Sequence, residues 1–360
     1  MPAFFVSLLV CLLPFSITLL VIPGTGLSIL GIAVVLALIS TGTAAIRRNE
    51  RFDPLDWAAL AWCTAWFASA LAVPAHHDAA LAAGARIAAG GILFVFIRSA
   101  LEERDLTRTG LLFARIGAVA AALAIVTAWF PWFPAEISAT DAGAPGFLLV
   151  IALPLALVNS DKARGRGSSR LRPALPLILA MGILFLGNRG AWLGAGAAGL
   201  VTLAVGAGHS RRTGAVRIAM ALTVLTAVSF FVSPSLRQRV LDRPYVSRID
   251  CIRMEWRAFR TRPFLGAGTG RLAANPSGSL YSRILAEGGV PAAAALAAIA
   301  GLATFPRRMK RGATARGLVA GCLVFGIFAP VLSSTGAGIA FWTALALCAP
   351  RTPSPAPSAR

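Results

Sequence analysis

Apolar runs long enough to cross a hydrocarbon layer of about 30 Å recur along nearly the whole chain, broken by short polar, glycine- or proline-marked connections. The pattern predicts membrane-spanning helices near 3–22, 26–46, 54–73, 79–97, 110–130, 144–158, 174–188, 190–207, 216–233, 284–304, 317–332 and 334–349. Such runs must be helical in lipid, where an unpaired backbone group has no water to bond. The predicted fold class is therefore all-α: a polytopic membrane helix bundle of about 12 transmembrane helices, with one large extracytoplasmic loop containing an amphipathic helix. It reads as a single membrane domain over 1–350, with the loop at 234–283 inside it. The tail at 351–360 has three prolines in ten residues and is expected to be disordered.

Composition agrees with that pattern. Hydrophobic residues make up 57% of the chain, charged residues 13%, and the mean hydropathy is +0.75, which leaves too little polar surface to coat a water-soluble globule. The segment Met1 to Val6 has no basic residue and no small-residue cleavage site follows it, so the first apolar run is read as a span rather than a cleaved signal. Cys11, Cys63, Cys322 and Cys348 fall in predicted spans and Cys251 stands alone in the loop, which implies neither a disulfide framework nor a cysteine metal site.

The formal charge is +20, carried almost wholly by arginine. With the amino terminus in the cytoplasm, the inside connections collect Arg47, Arg48 and Arg51, then Arg98, Arg104 and Arg108, then Lys162, Arg164, Arg166, Arg170 and Arg172. Arg211, Arg212 and Arg217 follow, then Arg307, Arg308, Lys310, Arg311 and Arg316, with Arg351 and Arg360 in the tail. Short outside connections carry almost none, as expected for a multi-pass protein of the cytoplasmic membrane with both termini inside. Basic charge used in this way implies a lipid bilayer as partner and no nucleic acid. The exception is the stretch 234–283, which has ten arginines against Asp242, Asp250 and Glu255 on the side where positive charge is normally avoided. That excess predicts a function for the arginines there.

Within the loop, Arg248 to Arg262 reads as a helix with two faces. Ile249, Ile252, Trp256 and Phe259 form an apolar stripe, and Arg253, Arg257 and Arg260 line another side. The helix is expected to lie on the outer membrane surface, its stripe in the lipid boundary or against the bundle and its arginines toward anions. A solvated face that attracts headgroups and a specific phosphate or pyrophosphate site both fit this pattern. Gly266-Ala-Gly268-Thr-Gly270 reads as a turn, since no strand precedes it to make a dinucleotide fingerprint. Arg189 falls at the outer end of the turn between two spans, where it either snorkels to headgroups or joins the loop arginines. His76-His77-Asp78 is a poor metal set because adjacent residues seldom converge on one ion. Apart from Arg86 and Arg115 the spans are nearly bare of charge, which weighs against a transporter.

Three stretches resemble the O-antigen ligase and polysaccharide polymerase superfamily, membrane enzymes that act on lipid-linked glycans. Gly187-Asn188-Arg189-Gly190-Ala191-Trp192 is similar to the family's Ser-Arg-Gly-Ala-Trp signature. Arg248 through Trp256 to Arg262-Pro263-Phe264-Leu265-Gly266-Ala267-Gly268 resembles its Arg, Trp, then Pro-Leu-x-Gly-x-Gly run. Leu280-Tyr281 through Glu287 to Gly289 resembles the point where the large loop re-enters the membrane. The resemblance implies glycosyl transfer, without metal or cofactor, from an undecaprenyl-pyrophosphate-linked glycan to a hydroxyl of an acceptor glycan or lipid, outside the bacterial cytoplasmic membrane. Arg189 and Arg248 match the family's arginine positions, with Arg253 and Arg257 as neighbours for the pyrophosphate. Relatives carry a His two residues before the Leu-Tyr pair. Here that position is Gly278, so a base would have to come from elsewhere, His77 and Glu287 being the candidates. A non-catalytic protein that binds lipid-linked glycan is the alternative that this replacement favours. An epitope inserted at 234–244 is expected to be reached by antibody on intact spheroplasts, and a tag after Arg360 only after permeabilisation.

Overall fold

A computed structural model describes residues 1–13, 29–48, 52–72, 77–129, 143–161, 174–186, 188–206, 245–272, 278–304, 310–329, 332 and 335–349. The described residues form twelve α-helices and no strand. They are α1 (Pro2–Leu12), α2 (Ile29–Arg48), α3 (Pro54–Leu71), α4 (His77–Ala100), α5 (Glu103–Trp129) and α6 (Gly143–Asp161). The rest are α7 (Leu175–Phe185), α8 (Arg189–Gly206), α9 (Tyr245–Thr261), α10 (Leu280–Thr304), α11 (Lys310–Gly326) and α12 (Thr335–Cys348). Four of them, within α2, α4, α5 and α10, are long and apolar enough to cross a membrane. The span expected at 216–233 and the tail lie outside the described residues.

Each expected span that is described coincides with a helix, although α5 and α11 begin earlier than their runs and residues 14–22 of the first run lie outside the described residues. Residue Asp53 explains why α3 starts where it does. Its carboxylate accepts hydrogen bonds from the Leu55 and Asp56 amides at 2.9 and 3.0 Å, Asp56 reciprocates toward the Asp53 amide at 3.1 Å, and Pro54 supplies a first position that needs no donor. Close packing elsewhere depends on small residues. Gly194, Ala198 and Thr202 of α8 face Gly317 and Gly321 of α11, where a methyl added at Gly321 would sit 2.8 Å from Ala198 Cβ and 3.0 Å from the Gly194 carbonyl oxygen. Backbones meet this closely only where side chains are nearly absent.

Two polar clusters mark opposite ends of the bundle. At one end the fully buried Arg98 guanidinium of α4 bonds Asp56 Oδ1 at 2.5 Å and Asp53 Oδ2 at 2.6 Å, while its Nε donates to the Ala349 carbonyl just past α12 at 2.5 Å. Arg48 of α2 reaches Glu102 at the same end. Helix α3 runs from there to Ser69, about 24 Å away at 1.5 Å per residue, where the Ser69 hydroxyl donates to the Glu287 carbonyl of α10. The first turns of α8 and α10 and the last turn of α11 share this second end: a methyl at Gly326 would meet Leu280, and one at Gly190 would meet Phe328. Between the ends lies an apolar interior in which Trp62, Trp66, Phe94 and Trp342 pack ring against ring.

Removing Arg98 would strand two carboxylates, one of them wholly buried. Arg98→Ala is expected to destabilise the protein by about 3–5 kcal/mol, read as a lower thermal midpoint in detergent.

Candidate functional site

Helix α10 is not continuous. Gly289 takes φ 69°, a left-handed conformation that glycine tolerates, and Pro291 two residues later has no amide hydrogen to give. Two carbonyls, those of Ala286 and Glu287, therefore lose their helical donors. Residues from the preceding loop and from α3 replace them: Ala267 N–H donates to the Ala286 carbonyl at 2.6 Å, and the Ser69 hydroxyl serves Glu287. In return Val290 N–H donates to the Pro263 carbonyl at 2.9 Å. The segment Pro263 to Leu272 is thus fastened into the break, with Gly266 at φ 69° lying backbone to backbone against Glu287.

The glycine run does gather an anion, but one belonging to the chain. Glu287 accepts from the Gly270 amide at 3.4 Å and the Leu272 amide at 3.2 Å, and Arg283 Nη1 lies 3.2 Å from its Oε1. Arg283 also approaches Glu255 of α9, Nε to Oε1 at 3.3 Å. The second Glu255 oxygen accepts from the Ser282 hydroxyl at 2.5 Å, and Ser279 Oγ lies 2.8 Å from Ser282 Oγ. All three charged residues are buried. Glu287, a base candidate by sequence, has both side-chain oxygens engaged, Oε2 by the Gly270 amide and Oε1 by the Leu272 amide and Arg283.

This cluster corrects one of the two expected settings of the loop helix. Most of the apolar stripe is not buried: Ile249, Ile252 and Trp256 are 46, 39 and 43% exposed, with Ile252 lying against Gly278 just before α10, whereas Cys251 and Glu255 are buried and Arg248 and Phe259 are half-buried. The carboxylate of Glu255 is instead seated on α10, against the buried Arg283 and the Ser282 hydroxyl, and a buried carboxylate needs such partners more than an apolar side chain needs burial. The stripe is left partly exposed, beside the exposed Arg253, Arg257 and Arg260.

The arginines named by sequence are divided accordingly. Arg248 faces the bundle, its Cζ 5.7 Å from the centre of the Phe328 ring just past α11. Phe328 also packs against the start of α8, where Asn188 Oδ1 accepts from the Gly190 amide at 2.9 Å and caps the helix that Arg189 opens. The positions of Arg189 and Arg248 therefore flank one aromatic residue, although the Arg189 side chain lies outside the described residues. Arg253, 3.6 Å from Asp250, and Arg257 point away from that corner, since residues five and nine places after Arg248 fall on the far side of a helix with 3.6 residues per turn. His77 opens α4 and its side chain likewise lies outside the described residues. The sequence pattern missed Glu255 and Arg283, because neither carries a periodic signal.

Gly278 has no room for a side chain. A methyl there would overlap Ile252 Cγ1 and lie 2.9 Å from the Ile252 backbone nitrogen. Gly278→Ala is expected to lower stability by about 1–3 kcal/mol through overpacking, and Ile252→Ala to recover part of that loss in the double variant, a coupling read from thermal midpoints.

No family model matches the chain and no curated protein matches it, so its function has to be argued from these residues.

Proposed function

We propose that this protein sits in the bacterial cytoplasmic membrane with its termini inside and acts as an envelope glycan ligase or polymerase. It transfers a glycan from an undecaprenyl-pyrophosphate donor to a hydroxyl on an acceptor glycan or lipid. The observation that carries the proposal is the corner at Phe328, to which α9 brings Arg248 and α8 brings the position of Arg189. The Arg248 guanidinium there suits a diphosphate, since a planar fork binds phosphate oxygens in bidentate fashion and stays charged at any physiological pH. As the acceptor oxygen attacks the anomeric carbon and the bond to the diphosphate breaks, charge grows on the leaving oxygens, and fixed cations lower the barrier. Orientation is supported by the basic residues at the Arg98 end, Arg47, Arg48, Arg104 and Arg108, which belong inside by the charge rule and leave the Phe328 corner outside.

A second reading, binding of the lipid-linked glycan without transfer, is favoured by Gly278, where neither a histidine nor any other side chain fits beneath Ile252. A transporter is disfavoured. Among the described residues the buried charges lie at the two ends of the bundle, and Arg86 and Arg115 are exposed on its outside.

Transfer of radiolabelled glycan from its lipid diphosphate by the purified protein separates the readings. Under the ligase or polymerase reading the wild type transfers label, Arg248→Ala lowers kcat/KM by about 10²- to 10³-fold, and a base role for His77 predicts a comparable loss in His76→Ala plus His77→Ala. Donor binding without transfer selects the second reading. A wild type that neither binds nor transfers the donor overturns both.

A further inference from the structure

Helix α9 turns a poor apolar surface toward the bundle. At 3.6 residues per turn Arg248, Cys251, Glu255 and Ala258 fall within an arc of about 80°, and of these only Cys251 and Ala258 are apolar. Burial of a thiol and a methyl cannot fix the rotation of a helix whose larger apolar residues, Ile249, Ile252 and Trp256, lie on the neighbouring arc and are partly exposed. What distinguishes the observed rotation is Glu255, whose carboxylate meets Arg283 and Ser282, both on α10. Turning α9 to bury the stripe would withdraw that carboxylate from a guanidinium that is itself buried.

We propose that Glu255 is the positioning residue of α9: its ion pair with Arg283 sets the rotation of the helix and thereby delivers Arg248 to the Phe328 corner. Arg248 lies seven residues earlier, two turns along the same face, so a rotation that seats Glu255 on Arg283 carries Arg248 inward as well. Arg283 is a fixed anchor because Glu287 holds its other side, and Glu287 is held in turn by the Gly270 and Leu272 amides. Loss of Glu255 therefore leaves Arg283 paired, and the bundle is expected to stay folded while α9 comes loose. What Arg248 binds rests on the proposed function; the positioning itself does not.

Cys251 reports the docking directly, since it is buried one turn before Glu255 on the same face, while Cys63 and Cys322 are buried inside the bundle. Site-resolved alkylation of the full-length protein, read by mass spectrometry, is expected to label Cys251 slowly in the wild type and several-fold faster in Glu255→Ala, with Cys63 and Cys322 protected in both. Glu255→Gln keeps an acceptor for the Ser282 hydroxyl and is expected to fall between the two. If Cys251 is labelled no faster in Glu255→Ala than in the wild type, or if all three thiols open together in both variants, the positioning role is overturned. In the transfer assay Glu255→Ala is expected to raise the donor KM several-fold with a smaller change in kcat. An unchanged KM despite faster labelling removes the link to Arg248. A wild type without transfer overturns the proposed function and leaves the alkylation result to decide the role of Glu255.

Discussion

A helix that stops donating to its own carbonyls inside an apolar bundle must find other donors, and at the Gly289–Pro291 break of α10 that requirement organises one end of the molecule. The backbone of Pro263 to Leu272 supplies a donor to Ala286 and an acceptor to Val290, and Ser69 reaches across from α3 to the Glu287 carbonyl. Where water is scarce, an unmet backbone group costs several kcal/mol, so this loop belongs to the bundle as firmly as the helices do. The positive φ of Gly266 and Gly289 lets the two backbones come together, and any side chain at either position would collide with the other segment.

Fastening the loop places the carboxylate of Glu287 beside the Gly270 and Leu272 amides and Arg283, and Arg283 then offers its other edge to Glu255. From backbone satisfaction follows a buried guanidinium, and from the guanidinium follows the seat of α9. The far end of the bundle uses the same chemistry differently. There Arg98 ties the start of α3 to the end of α12 through two aspartates and one carbonyl, with no helix left to steer. The Arg98 cluster joins helices of the bundle to one another, whereas the Arg283 cluster couples the bundle to α9.

The consequence for function is a division of the arginine-rich helix. One arginine, Arg248, is turned inward over Phe328, at the corner where α8 begins. The others stay outside beside an exposed apolar stripe, the arrangement of a helix lying at the boundary between headgroups and acyl chains. The diphosphate proposed for the inner corner would meet an aromatic ring and the half-buried Arg248 guanidinium, where charge interactions are stronger than in bulk. Glu255 matters to this division because its partners, Arg283 and Ser282, lie on α10.

Much of this was legible from sequence alone. Runs of apolar residues located the helices because the signal is local and repeated: each described helix other than α9 answers to a hydrophobic run, and α9 answers to spacings of three and four. The asymmetry of arginine, and Arg189 and Arg248 as residues of interest, could also be read from order and neighbourhood. The rotation of α9 could not. Its strongest periodic feature, the stripe of Ile249, Ile252, Trp256 and Phe259, left two settings open, because a stripe records what a helix could bury and says nothing of what waits on the other side. Only the tertiary structure brings Arg283 opposite Glu255, excludes a side chain at Gly278 by the approach of Ile252, and finds donors for the carbonyls that Pro291 abandons. Each of these joins residues distant along the chain, and the free energy of pairing a buried charge or a buried carbonyl depends on a partner that no local pattern names.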